Sequence, residues 1–301
     1  MPGCWILSLH LLFQLNNNLV KNKIMKKVML LGINSKFVHT NIAIRYIKKY
    51  VEKYSDIEIE IFEKTINNHV EEIIADIYRK KPEILMISAY IWNSEYVYKL
   101  ITEVKKVFKN LTLVLGGPEV SYNAIELMNK YIEIDYIISG EGEKTTLEFL
   151  TKDKKDVKGL YYREEDKIKF GGIREGICDL DEIPFPYEVE EFSEKGKIFY
   201  YESSRGCPYS CSYCMSSIDK TVRNFSIERV KEDLMIFLNN GIKLIKFIDR
   251  TYNLKKSRYM EIWKFLLDNY REDTTFHFEI TGDLFDEEVL EFLKKMILKL
   301  F

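Results

Sequence analysis

The chain has 301 residues, long enough for two domains with substantial cores. Its 45 Lys and Arg nearly balance 47 Asp and Glu, giving a formal net charge of -2, so no electrostatic bias toward nucleic acid or a membrane surface follows. Hydrophobic residues make up 46% and charged residues 31%, a balance that excludes a disordered chain and fits a globular one.

The first 24 residues stand apart. Cys4–Phe13 is apolar, but no basic residue precedes it and no small-residue cleavage site follows it. It is also much shorter than the ~20 residues a membrane span needs. Met25-Lys-Lys-Val-Met-Leu-Leu-Gly32 reads as a natural start that runs straight into a strand. Residues 1–24 are therefore expected to be a non-native or disordered extension, and the cytoplasm is the expected compartment.

From Lys27 strand and helix alternate. Strand-like runs fall at Val28–Ile33, Ile57–Phe62, Glu83–Ser88, Leu111–Leu115 and Ile134–Ile138. Helical spacing covers Asn41–Lys53, Val70–Arg79, Glu95–Phe108 and a segment near Tyr122–Asn129, and Gly140–Glu143 opens a further helix. Apolar strands alternating with amphipathic helices predict an α/β fold, a doubly wound parallel sheet of Rossmann-like type over residues 25–152. Ligands of such sheets bind at the carboxyl ends of the strands, so the loops that matter are 32–40, 88–94, 116–121 and 139–143. Ser88, Gly116, Gly117, Gly140 and Gly142 place small residues there, where backbone can approach a bulky planar ligand. The competing account is that these glycines only make tight turns.

Val157–Tyr162 and Lys167–Phe170 flank Glu164-Glu165-Asp166 and read as a β-hairpin. The acidic, proline-bearing stretch 173–196 is expected to be the connector to the next domain, so residues 153–196 hold a hairpin and a linker. Cys178, within it, is expected to be an unpaired thiol without a role.

The most informative stretch follows the strand-like run Lys197–Glu202. Cys207, Cys211 and Cys214 fall in a C-x3-C-x2-C spacing with an aromatic, Tyr213, before the last. Three thiolates on one loop can hold three corners of an iron–sulfur cube and leave the fourth iron open to substrate. A redox CxxC has no use for the third cysteine. A zinc site wants a fourth ligand at similar spacing, and no histidine lies nearby. A disulfide is disfavoured by a reducing compartment.

Beyond the cysteines, Ile227–Leu238, Ser257–Asn269 and Asp286–Leu300 read as helices, and Lys243–Ile248 and Thr275–Ile280 as strands. Ser226 is the expected N-cap of the first helix, and Asn240-Gly241 ends it. Repeated strand–helix units with a site at the strand ends describe an incomplete TIM-like barrel over residues 197–301. Its strand-end polar residues are Glu202, Ser203, Arg205, Asp249, Arg250, Glu279 and Asp283. Glu279 alternates with His277, so both can point inward together; a packed, hydrogen-bonded histidine is the alternative to a catalytic base.

A doubly wound domain ahead of a C-x3-C-x2-C domain resembles the cobalamin-binding class of radical S-adenosylmethionine (SAM) proteins. The resemblance spans most of Met25–Leu300. It is carried by Leu115–Ser121, Ile138–Glu143, Ile183–Tyr187, Glu202–Cys207 and Val222-Arg223. Within the class the chain most resembles a branch whose members carry a DUF4080 region further C-terminal. The resemblance implies a [4Fe-4S] cluster on Cys207, Cys211 and Cys214, SAM chelated by the open iron, and reductive cleavage of SAM to a radical. It further implies cobalamin, methyl transfer or another C–H functionalisation of an unknown substrate, and a reductant such as flavodoxin or ferredoxin. Tyr213, Asp249, Arg250 and Glu279 would lie on the SAM side, with Asp249 an acceptor for the SAM ammonium or, alternatively, a solvated loop carboxylate. His39, Ser88, Gly116, Gly117, Gly140, Glu141 and Gly142 would lie on the cobalamin side.

One departure stands out. Members that bind cobalt through histidine carry D-x-H-x-x-G in the first loop, whereas this loop reads Gly32–Asn41 with neither the aspartate nor the glycine in place. Cobalamin held without a protein ligand to cobalt is the expectation, with His39 as a local hydrogen-bonding residue at a helix N-terminus. The chain also stops within a helical pattern after three strand–helix units, so truncation at the C-terminus is expected. The rival reading is a non-catalytic corrinoid- or protein-binding fragment with a structural or vestigial cluster.

Overall fold

The computed structural model describes residues 27–300, with the backbone alone for 296–300. The extension expected over 1–24 lies outside the described residues. The first sheet begins with β1 (Val28–Asn34), β2 (Ile59–Thr65), β3 (Ile84–Ser88), β4 (Thr112–Gly116) and β5 (Tyr136–Ile138). These five are parallel in the order β2-β1-β3-β4-β5. The order reverses between β1 and β3, which marks the crevice where such sheets take ligands.

Alternation along each strand builds two separate apolar layers. Val28 and Leu30 of β1 enter one, with Ile44 and Val51 of α1 (Ile42–Tyr54). Met29, Leu31 and Ile33 enter the other, with Ile73 and Ile77 of α2 (Val70–Lys80) and Val97, Leu100 and Ile101 of α3 (Ser94–Val107). Each fully buried side chain of this size contributes about 1.5–3 kcal/mol, and the two-sided burial is why the strands read as continuous apolar runs. The helix expected near Tyr122–Asn129 is α5 (Ala124–Lys130), and a further short helix, α4 (Pro118–Ser121), precedes it. The last helix of the unit is α6 (Gly142–Thr151).

The hairpin forms where the sequence places it, as β6 (Leu160–Glu164) and β7 (Lys167–Phe170). They continue the first sheet antiparallel from β5, which makes it seven-stranded. Leu160 and Tyr162 are buried in the same layer as Val28 and Ile44.

The second sheet holds β8 (Phe199–Tyr201), β11 (Leu244–Phe247) and β12 (Thr275–His277), parallel in the order β12-β11-β8. Between them in sequence stand a two-residue ribbon, β9 (Ser204–Arg205) and β10 (Arg223–Asn224), and the helices α7 (Ile227–Asn239) and α8 (Lys256–Asp268). Ser226 caps α7 by accepting from the Arg229 N–H, as its sequence position predicts. The final helix is α9 (Glu287–Leu300). Phe199, Tyr201, Ile245 and Phe247 turn to one side and pack with Phe237 and Trp263 of the covering helices.

The two units share structure. Tyr46 and Tyr50 of α1 leave the first sheet and enter the core of the second unit. Val38–Thr40 runs alongside the start of β8: the Ile198 N–H donates to the Val38 carbonyl at 2.8 Å, and the Thr40 hydroxyl donates to the Ile198 carbonyl at 2.9 Å. Arg45, also on α1, is buried. It donates to Glu63 of β2 at 2.7 Å and to Glu191 of the connector at 2.5 Å. Among the described residues no helix is long and apolar enough to cross a membrane.

Candidate functional site

The carboxyl ends of β1, β3, β4 and β5 form a rim against which the segment around the cysteines closes. At the switch point, the Asn93 amide donates to the carbonyls of Ile33 and Ser88 and so ties the ends of β1 and β3 together. The Ser88 hydroxyl accepts from the Asn41 amide at 2.8 Å and is buried. It fixes the N-cap of α1.

The rim glycines fall into two groups. Gly117 has φ +105, and a Cβ there would sit 2.5 Å from the Ala89 carbonyl oxygen; loop-to-loop contact demands it. Gly142 faces Ile47 of α1, so it serves helix packing. Gly116 meets nothing closer than 3.8 Å, and Gly140, with φ +81, meets nothing within 4 Å. Only these last two leave room for a ligand to reach the backbone.

His39 stands before α1 with its Nδ1 2.5 Å from the Tyr200 hydroxyl. Burial, together with the charges of Lys36 and Lys246, holds its pKa below the ordinary value, so the ring is neutral near pH 7. Tyr90 of the next loop stacks on Trp92 with centroids 4.3 Å apart. Burial pushes its phenol up to about 12, with Arg250 and Glu202 near enough to act on it. Sequence reasoning passed over Tyr90, Trp92, Asn93 and Asn41, and the aromatic spacing of the first two was the available signal.

The cysteine loop hangs from the β9–β10 ribbon, in which Arg205 and Arg223 are cross-strand partners. Gly206, with φ +92, packs its α-carbon against the Thr221 carbonyl, and the Cys207 N–H donates to the Asp219 carbonyl at 2.9 Å. Cys207 is buried with its sulfur 3.6 Å from the Thr251 hydroxyl; Cys211 is exposed and Cys214 half-buried. Hydrogen bonds from Ser216 lower the Cys214 thiol pKa. Tyr213 is 90% exposed. Among the described residues no three His, Cys, Asp or Glu side chains are gathered to hold a metal ion as they stand. The fit to an iron–sulfur cluster is one of donor chemistry and spacing: three free thiols on one short loop, with two of them reachable from solvent.

Asp249 ends the segment after β11, fully buried. Its oxygens accept from the Ser203 N–H at 3.0 Å and from the hydroxyls of Ser203 and Ser204 at 2.7 and 2.6 Å. Asp249 thereby braces the ribbon, and burial raises its pKa. Arg250, next to it, is exposed. Glu279 and His277 are both exposed, 3.5 Å apart, and Lys246 stands 3.3 Å from the same carboxylate. Glu141 is likewise committed within the protein, its oxygens accepting from Arg223, from the Ile177 N–H and, at 3.5 Å, facing Arg205.

Comparison with known proteins matches these two units separately. Residues 28–150 match the B12 binding domain family, and residues 201–301 match the radical SAM superfamily. An uncharacterised methyltransferase of Pyrococcus horikoshii is 32% identical over 239 residues, 73% of this chain and 51% of the relative. The cobalamin-dependent radical SAM methyltransferase TokK of Streptomyces tokunonensis is 29% identical over 191 residues, 58% of this chain and 28% of TokK. The chain thus spans about half the length of the first of these relatives and less than a third of the second. In fold it is similar to the cobalamin-dependent SAM radical enzyme OxsB, solved with aqua-cobalamin and SAM bound. The TM-score is 0.75 at 19% identity, over 94% of this chain and 42% of OxsB. With a B12-binding sheet followed by a second unit whose C-x3-C-x2-C loop hangs from the β9–β10 ribbon, the chain belongs to the radical SAM proteins that carry a B12-binding domain.

Proposed function

We propose that the chain binds a [4Fe-4S] cluster on Cys207, Cys211 and Cys214, SAM beside it and cobalamin on the rim of the first sheet, in an enzyme that transfers a methyl group to an unreactive carbon. One observation carries this reading. The strand-end loops bear large apolar side chains left exposed, with Phe37, Ile91, Trp92 and Tyr122 on the first sheet and Tyr213 and Met215 on the cysteine loop. A bulky, largely apolar ligand seated at the strand ends would cover side chains of this kind. The open backbone at Gly116 and Gly140 lies on the same rim.

When bound, the cluster supplies an electron for cleavage of SAM and the corrinoid a carrier for the methyl group. The protein's own contribution is positioning. Asn93 and Asn41 fix the two loops at the switch point, and Asp249 fixes the ribbon under Cys207. His39, neutral and held by Tyr200, lines the first loop without being committed to cobalt. Arg250 offers an exposed cation near the Cys214 thiol and Tyr90, suited to a carboxylate. The reading calls for a reducing compartment, the cytoplasm, and a protein reductant such as flavodoxin or ferredoxin.

Anaerobic reconstitution with iron and sulfide, followed by addition of hydroxocobalamin, tests it. The expected result is about four irons per chain, a retained corrinoid, and 5′-deoxyadenosine on addition of SAM and a strong reductant. Replacing the three cysteines with alanine should abolish the cluster while the variant still takes up corrinoid as the cluster-free wild-type chain does. A full iron complement in that variant would refute the assignment.

A further inference from the structure

Glu141 belongs to the loop after β5, yet its carboxylate reaches across to the second unit. It accepts from Arg223 at 2.6 Å and faces Arg205 at 3.5 Å. Those two arginines are directly opposed in the β9–β10 ribbon, one on each strand leading into or out of the cysteine loop. A single carboxylate therefore grips both legs of the loop at its neck. Arg205 immediately precedes Gly206-Cys207 and also binds Glu143 and Glu202 at 2.6 and 2.7 Å. Arg223 donates as well to the Ile177 carbonyl at 2.7 Å, and Gly176 beside it leaves space for the guanidinium, since a Cβ would fall within 3 Å of it.

On the other side of Glu141 the situation reverses. Gly140 is left-handed with nothing within 4 Å of a Cβ position, so a ligand on the rim can touch the backbone one residue away. Charge-assisted hydrogen bonds of this kind are short, directional and costly to break when shielded from water. Displacement of the Gly140 turn is thus transmitted to the neck of the cysteine loop through the Glu141 carboxylate and the two guanidinium groups it meets.

We infer that Glu141 is a positioning residue that couples occupancy of the rim to the geometry of the cysteine loop, so that loading of the corrinoid and loading of the cluster favour one another. The inference rests on the cofactor reading above. Linkage makes the coupling reciprocal, so it can be read from either cofactor.

The test measures hydroxocobalamin affinity by equilibrium dialysis with the full chain, before and after cluster reconstitution. In the wild-type chain the cluster should tighten binding about tenfold, within the usual range for coupled sites. Glu141→Gln, which keeps the shape but discharges the junction, and Glu141→Asp, which is too short to span both arginines, should bring the ratio near one with iron content unchanged. Amide exchange on the wild-type chain gives a check that needs no variant. Hydroxocobalamin added to the cluster-free protein should slow the Cys207 and Phe225 amides, which bond within the ribbon. Equal affinity with and without cluster in the wild type, a ratio preserved in both variants, iron lost from Glu141→Gln, or unchanged exchange at those amides would each overturn the inference. Failure of the underlying reading looks different: no iron or no corrinoid is retained by the wild-type chain at all.

Discussion

Ser203 meets the Asp249 carboxylate twice, through its N–H at 3.0 Å and its hydroxyl at 2.7 Å. The contact locks the turn between β8 and β9 to the end of β11. Asp249→Ala would leave a buried N–H and two hydroxyls without acceptors, at about 1–3 kcal/mol for each unpaired group before relaxation. A loss of roughly 2–4 kcal/mol in urea unfolding is expected. Asp249→Asn, which keeps an acceptor, should lose markedly less; equal losses would remove Asp249 as the brace.

Asp233, on α7, gives the second unit a distinctive acid response. It accepts from the Tyr201 hydroxyl at 3.1 Å and from Arg229 at 2.8 Å, but burial dominates and pushes its carboxyl from 3.8 up to about 6. Between those values the folded protein holds a proton that the unfolded chain has released, so stability falls as pH rises through the window. The contribution is on the order of 3 kcal/mol. Asp233→Asn should remove that slope, so the wild-type-minus-variant difference in unfolding free energy should shrink from pH 4 to pH 6. A constant difference would show that the group titrates normally.

The two left-handed rim glycines should respond differently to alanine. Gly117→Ala drives a methyl group into the Ala89 carbonyl as well as straining φ, and should cost more than about 2 kcal/mol. Gly140→Ala bears only the backbone penalty, about 1 kcal/mol. Denaturant midpoints of the two variants decide the matter, and equal shifts would contradict the packing described.

His39→Ala should cost about 1 kcal/mol, the worth of one hydrogen bond to Tyr200. It should leave the visible spectrum of bound hydroxocobalamin unchanged. A shift of the cobalt bands on substitution would identify His39 as a ligand after all.

The architecture was readable because its signals are periodic. Val28–Ile33 and Glu83–Ser88 are apolar throughout because both faces of the sheet are covered, and the parallel order followed from their alternation with amphipathic helices. The hairpin was legible too, but not the sheet it joins, because nothing in a local pattern tells a strand which edge it will meet. The cysteines were legible because ligand spacing lies within one loop. The partners of Asp249, Ser88 and Glu141 were not, since nothing local tells a polar residue at a strand end that it will meet Ser203, Asn41 or Arg223. Those partners lie 46, 47 and 82 residues away.

The hairpin has a bearing on how the folded chain keeps to itself. Without β6 and β7, the apolar strand Tyr136–Ile138 would end the sheet with a free row of backbone donors and acceptors, a template for another chain. The strand that ends it instead is Lys167-Ile-Lys-Phe170, with both lysines exposed and Phe170 folded onto Tyr161 at 4.2 Å. A β-strand arriving from a neighbour would have to bury those two ammonium groups. The hairpin thus guards the cofactor sheet against aggregation.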